Sequence, residues 1–324
     1  MIAAWMLYCS VMGMLLAGAA RLVERVVERA GGPTRRVWAW GLAAAVAVPL
    51  VGVMLRDGAP VDDRGVRAGL DPVAGALMHG VDSLASLDRS LGGLWAVGSA
   101  AGLMLLAGAV LRTLARARRW RRASVDGVPV LVSHEVGPAV VGFVRGRIVL
   151  PAWALYAPAE ERAMMLRHEQ EHLAAGDHRL TLLGLLLVSA MPWNPALWYL
   201  AHRARLAIEV DCDRRVVRGG GIDVRAYGSL LISVGRRRGA HALAAAAFSW
   251  PRSTLEHRID RMTLPCGGGG RWRSAALGMA AALVLAGAWA LPQPVRAADV
   301  SDEVVPCAEQ EREAPVLPAW PARA

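Results

Sequence analysis

The sequence predicts a mainly α-helical membrane protein. About four transmembrane helices are expected, with a polar domain of helices and a small β-sheet inserted between the third and the last. Three observations predict this. Hydrophobic residues make up 55% of the 324-residue chain, and mean hydropathy is +0.34, values that point to membrane segments. Four apolar runs, at residues 2–20, 37–55, 92–111 and 274–291, approach the length of a bilayer crossing. Arginines gather at the ends of those runs, as the positive-inside rule describes.

Residues 2–20 are uncharged and follow no basic segment, so they read as a membrane helix rather than a secretory signal. Arg21, Arg25, Arg29, Arg35 and Arg36 then stand against Glu24 and Glu28. The second run holds Pro49, which a membrane helix tolerates when its neighbours satisfy the freed carbonyl. The segment 56–91 has six aspartates and four arginines, and Leu84, Leu87 and Leu91 mark a weak amphipathic surface helix. After the third run come Arg112, Arg116, Arg118, Arg119, Arg121 and Arg122, the strongest orientation signal in the chain. They place that end in the cytoplasm. Counting back, residues 21–36 are also cytoplasmic, and the N-terminus and the 56–91 loop lie outside. Residues 1–111 therefore form the first unit, three membrane helices with their loops.

Residues 112–273 form the cytoplasmic domain. Val128–Ser133 reads as a strand, and Ala139–Val144 with Arg147–Pro151 as a hairpin turning at Arg145-Gly146. Pro129 and Pro138 mark edges or turns. An edge strand here would either hold an extended peptide as an added strand or simply pack on the next helix. Residues 159–175 run without Gly or Pro and stop at Gly176, which favours a helix. The apolar run 180–201 is interrupted by Met191-Pro192-Trp193-Asn194-Pro195. Residues 202–218 are polar and helical in character. The Arg- and Gly-rich region 219–273 includes an amphipathic helix around Leu255–Met262 that packs on the domain or the membrane surface. Arg271 and Arg273 precede the run 274–291, which crosses outward. The Pro-rich acidic tail 292–324 is extracytoplasmic, with no strong tendency to order.

Cys9, Cys212, Cys266 and Cys307 are scattered, so neither a disulfide framework nor a cysteine zinc site is indicated. All basic residues are arginines, giving a net charge of +10. Because they sit at membrane boundaries without interleaved aromatics apart from Trp120 and Trp272, nucleic-acid binding is not expected.

The chemistry is concentrated in His168-Glu169-Gln170-Glu171-His172. On a helix, His168 and His172 leave one face a turn apart and can reach one zinc ion. Glu169 then lies beside the metal, where a carboxylate can take a proton from water. A catalytic zinc site needs a third protein ligand. Downstream, Glu209 and Asp213 share a helical face: Glu209 can ligate, and Asp213 can accept the free ring N–H of a ligating histidine. Asp211 points elsewhere and is expected to be solvated. Asp177 and His178 are further candidates for supporting groups, with a surface or capping role equally open. One ion cannot be bound from both faces of a bilayer. The run 180–201 is therefore read as a re-entrant or interfacial helical hairpin that returns to its starting side.

With Gly142 through Ile148-Val-Leu-Pro151, His168-Glu169-x-x-His172, Asp177, Trp193-Asn194-Pro195 and Glu209-Val-Asp-Cys212-Asp213, the chain resembles the BlaR/MecR-type membrane zinc peptidases, the β-lactam sensor-transducers and their shorter relatives. The resemblance covers roughly residues 1–290 and implies a gluzincin-like domain. It makes His168, His172 and Glu209 zinc ligands and Glu169 the group that activates water. It also implies a multi-pass protein of the bacterial cytoplasmic membrane that acts on a protein substrate, either a winged-helix repressor or the chain itself. The sensors carry a large penicillin-binding domain after the last helix. Residues 292–324 are too few for one, so a short form without antibiotic sensing is expected. Two other readings stand beside this one. The first is a quality-control membrane peptidase of the HtpX/prenyl-protease type. The second is a non-catalytic receptor or scaffold stabilised by zinc.

Overall fold

The computed structural model describes residues 2–56, 88–239, 253–263 and 271–290. They are mostly helical, with one small mixed sheet. The surface helix expected at Leu84 and Leu87 and the tail 292–324 lie outside the described residues.

Helices α1 (Ile2–Arg29) and α2 (Thr34–Arg56) pack together and share a core with a later helix, α6 (Pro195–Gly220). Tyr8, Met12 and Leu16 of α1, Trp38 and Leu42 of α2, and Leu197 and Leu200 of α6 meet there. Helix α3 (Asp88–Ala117) starts earlier than its apolar run, with Asp88 in its first turn. The Ala3 backbone N–H donates to Asp88 at 2.9 Å, so α1 and α3 begin at the same end of the molecule.

The sheet has four strands: β1 (Arg121–Val125), β2 (Val128–Ser133), β3 (Ala139–Val141) and β4 (Arg147–Pro151), in the order β1-β2-β4-β3. The β3–β4 hairpin forms as expected. Strand β1 was not expected, because Arg121 and Arg122 read as topology signals. It pairs antiparallel with β2 across Asp126-Gly127, whose φ angles of 50° and 79° build a tight turn of the kind Asp-Gly favours. Strands β2 and β4 run parallel. One face of the sheet holds Val130, Val132, Ile148 and Leu150 against Leu166 of α4 (Ala159–Ala175).

Gly176 ends α4 in the left-handed region at φ 69°, and α5 (Asp177–Ala190) leaves at a 63° bend. The hairpin expected over 180–201 is a helix–turn–helix whose return leg, α6, continues unbroken to Gly220. Pro195 occupies the first turn of α6, where no backbone donor is needed, and Asn194 caps it by accepting from the Ala196 and Leu197 N–H groups. The open Ala190 carbonyl at the end of α5 accepts from Trp95 Nε1 at 2.9 Å and Ser99 Oγ at 2.7 Å, both on α3. Helices α7 (Val224–Gly239), α8 (Ser253–Thr263) and α9 (Arg271–Ala290) follow. The amphipathic α8 packs on the domain, against α6 and α7, and α9 packs along α1.

Among the described residues, α1 and α3 are long and apolar enough to cross a membrane, and the bent α4–α5 pair is a third candidate. In α9 the apolar part, Ser274–Ala288, is shorter.

Asp211 corrects an expectation. It is 3% exposed rather than solvated. Its carboxylate accepts from the Arg35 N–H at 2.8 Å and the Thr34 hydroxyl at 3.2 Å, capping α2 from another helix. Asp211→Ala would bury both donors without a partner and is expected to cost about 2 kcal/mol. Denaturant unfolding in detergent measures this, and unchanged stability would remove the cap from the account.

Candidate metal centre

The face of α4 that carries the motif turns toward α6. His172 and Glu169 are 9% and 4% exposed, and beneath them Met164, Met165, Cys212, Val216, Tyr227 and Leu230 form a buried cluster. A helical spacing of four brings His168 Nε2 to 3.1 Å from His172 Nε2, with the rings nearly perpendicular. The return leg α6 brings Glu209 Oε2 to 3.8 Å from the first nitrogen and 3.9 Å from the second. The structure thus gathers His168, Glu169, His172 and Glu209 on facing helices, as the spacing suggested.

The outer ring nitrogens fix the tautomers. His172 Nδ1 lies 2.8 Å from Asp177 Oδ2, and an ionised carboxylate only accepts, so Nδ1 carries the proton. His168 Nδ1 lies 2.7 Å from the Tyr227 hydroxyl, which itself donates to Asp213 Oδ1 at 2.8 Å. The tyrosine proton is committed to Asp213, so the oxygen accepts from His168 Nδ1–H. Both Nε2 atoms then present lone pairs to each other and to a carboxylate oxygen. Such an arrangement repels itself unless a cation lies between the three atoms. The donor set therefore fits a divalent metal.

Two roles differ from the sequence reading. Asp213 was expected to take a histidine N–H directly, but its Oδ1 is 3.5 Å from His168 Nδ1 and Tyr227 bridges the gap. Asp177, a secondary candidate, makes the direct contact. His178 packs beneath Gly146 instead, beside Leu173 and Val140.

Three residues escaped the sequence reading. Tyr227 lies on α7, in a segment without a motif. Arg258 reaches in from α8: Nη1 is 2.9 Å from Glu209 Oε2, and Nε and Nη2 bind the two Asp213 oxygens at 2.8 and 2.7 Å. Burial works against the Arg258 charge, but Glu209 and Asp213 outweigh it and hold the guanidinium protonated. The spacing of Arg258 and Glu256 on an amphipathic helix gave no sign of this contact. Arg35, counted as a topology signal, donates from Nη1 to Asp177 Oδ1 at 2.7 Å while its backbone binds Asp211. It joins the first turn of α2 to the carboxylate behind His172.

Burial lowers the basicity of His172, yet the Asp177 hydrogen bond and the Glu209 and Glu169 charges outweigh it and raise the pKa above the ordinary imidazole value. Cys212 also lies close, with its sulfur and a nitrogen from each histidine within 4.8 Å of one another. Its Sγ, however, sits 3.4 Å from His168 Nδ1 and 3.4 Å from the His168 carbonyl, so its hydrogen-bond contact is with the ring nitrogen that also meets Tyr227 and not with Nε2. Burial, with Glu209 and Asp213 nearby, pushes the thiol pKa far up.

The chain matches the family model described as BlaR1 peptidase M56 over residues 78–262, more than half its length, and belongs to that family. It is 28% identical over 127 residues to the regulatory protein BlaR1 of Bacillus licheniformis. The alignment takes in 38% of this chain and 21% of that protein, so the match spans about a fifth of its length. The resemblance drawn from the motifs is borne out.

Tyr227→Phe deletes the link between His168 and Asp213 while keeping the ring packed. It is expected to weaken divalent-metal affinity about 10-fold, measured by competition with a chelating indicator. Cys212→Ser should leave the affinity unchanged. A larger loss from Cys212→Ser than from Glu209→Gln would move the ligand set onto the sulfur.

Proposed function

We propose that this protein is an integral-membrane zinc endopeptidase that works in regulatory signalling by cutting a cytoplasmic protein. The observation that carries the reading is the convergence of His168 Nε2, His172 Nε2 and Glu209 Oε2 beside the buried Glu169. Tetrahedral zinc with bonds of about 2.0–2.1 Å sets its donors about 3.3 Å apart, and the separations of 3.1, 3.8 and 3.9 Å approach that spacing. When bound, zinc polarises a scissile carbonyl and lowers the pKa of water. Glu169 takes the proton of the attacking water and passes it to the leaving amine. Asp177, and Tyr227 with Asp213, hold the imidazoles in the tautomer that leaves Nε2 free. Arg258 holds the Glu209 carboxylate in place from the side of α8. The free edge of β3, beside α4, offers an extended peptide a strand to pair with.

Membership of the M56 family favours this reading over an HtpX/prenyl-protease relative. The contact of Cys212 with His168 Nδ1 rather than with the converging Nε2 atoms favours an open catalytic shell over a closed structural one. By analogy with the matched regulatory protein, the substrate is a winged-helix repressor, the chain itself, or both in turn.

Four spans are proposed: α1, α2, α3 and α9, in the bacterial cytoplasmic membrane, with both termini outside and the catalytic domain in the cytoplasm. Supporting this, α1 and α3 start at one end, while the start of α2 contacts the domain through Arg35 at the other. The α5–α6 turn is read as re-entrant. It meets α3 at Trp95 and Ser99, the latter about 27 Å from the domain end of α3 at Ala117, close to a full hydrocarbon thickness. Its exposed backbone carbonyl is satisfied by α3, as a non-helical turn at that depth requires.

Glu169→Gln is expected to keep the metal and lose cleavage by about 10²-fold or more. Labelling of new protein N-termini in cells with the wild type or the variant should show one or a few cut sites present only with the wild type. Identical N-termini in both would refute the proposed activity.

A further inference from the structure

The β3–β4 turn, residues 142–146, has no part in the metal chemistry, yet it is held firmly and bears an exposed apolar tip. Phe143 and Val144 are 54% and 72% exposed and adjacent at the apex. Gly142 adopts φ 110°, and any side chain there would strike the Arg145 carbonyl, so the turn is tightly folded. Gly146 lies flat on Leu173, Val140 and His178. Arg179 fastens the turn from outside: Nη2 donates to the Val144 carbonyl at 2.9 Å and Nε to the Phe143 carbonyl at 3.3 Å.

Arg179 stands in the first turn of α5, the leg that enters the membrane. Leu183 and Leu186 follow it on the same helical face, both exposed, at 45% and 40%. This stripe has lipid as its natural surroundings, and Arg179 sits at its polar base. The turn bonded to Arg179 is thereby set at the level where α5 meets the membrane surface. Arg145 and Arg147 flank the apolar pair and are exposed as well. An aromatic–aliphatic tip ringed by three arginines matches the boundary between acyl chains and anionic headgroups in apolarity and charge. Strand β3 also touches α3, the helix that leaves the membrane at Arg112 and Arg116.

We propose that the turn 142–146 is an interfacial anchor, with Phe143 and Val144 inserted at the acyl boundary and Arg145, Arg147 and Arg179 on anionic lipid headgroups. The anchor sets the free edge of β3 at the membrane surface, so a peptide pairing there is gripped where it emerges from, or lies along, the bilayer. The inference rests on α3 and α5 being membrane-embedded.

Spin labels test it in full-length protein whose four cysteines are replaced by serine, reconstituted in vesicles of phosphatidylcholine and phosphatidylglycerol. Single cysteines are placed at Phe143, at Val144, at Met104 as a lipid-facing position on α3, and at Tyr156 as an exposed domain position. Labels at Phe143 and Val144 are expected to relax strongly with oxygen and several-fold less than Tyr156 with a water-soluble nickel chelate, as at Met104. Accessibility at Phe143 and Val144 equal to that at Tyr156, with Met104 in lipid, overturns the anchor alone. A water-exposed Met104 overturns the membrane placement and the anchor together. Replacing phosphatidylglycerol by phosphatidylcholine should raise nickel accessibility at Val144. No change on that replacement would overturn the role given to the three arginines.

Discussion

The meeting of two imidazole nitrogens from α4 with a carboxylate from α6 constrains everything around it. Thirty-six residues of chain lie between His172 and Glu209, much of it apolar enough to cross a bilayer, and the ends of that chain stand within 3.9 Å of each other. The chain therefore turns back. Gly176 bends α5 away from the motif helix, Asn194 restarts the helix after the turn, and α3 supplies donors to the carbonyl left open there. Each device satisfies backbone groups that the breaks between helices would otherwise leave without a partner.

Around the three converging atoms stands a shell of partners drawn from every side. Asp177 comes from the bend, Tyr227 from α7, Asp213 from α6 and Arg258 from α8. Arg35 links the first turn of α2 to Asp177 and Asp211 at once. A displacement of α1 and α2 would thus reach the carboxylate behind His172 through a single side chain. The centre is built into the packing of these helices rather than tethered to them.

The sequence disclosed what local spacing can disclose. A helical period of four places His168 beside His172 and Glu209 beside Asp213, and the break at Pro192–Pro195 announces the turn. Where a contact depends on a distant element, the sequence was silent or misleading. Asp211 read as solvated because its partners, Thr34 and Arg35, are far away in the chain. Asp213 read as a direct histidine partner because nothing marked Tyr227 as the group between them. Arg121 and Arg122 read as charge alone, although Asp126-Gly127 nearby was a legible turn signal for the strand they begin.

The central claim is that the metal is held by two imidazoles and one carboxylate, with no sulfur and with room for water. X-ray absorption of the purified zinc-loaded protein tests it directly. The account predicts nitrogen and oxygen scatterers only, at about 2.0–2.1 Å, with imidazole outer-shell features for two rings. A sulfur scatterer at about 2.3 Å would bring Cys212 into the shell, close the site and contradict the account.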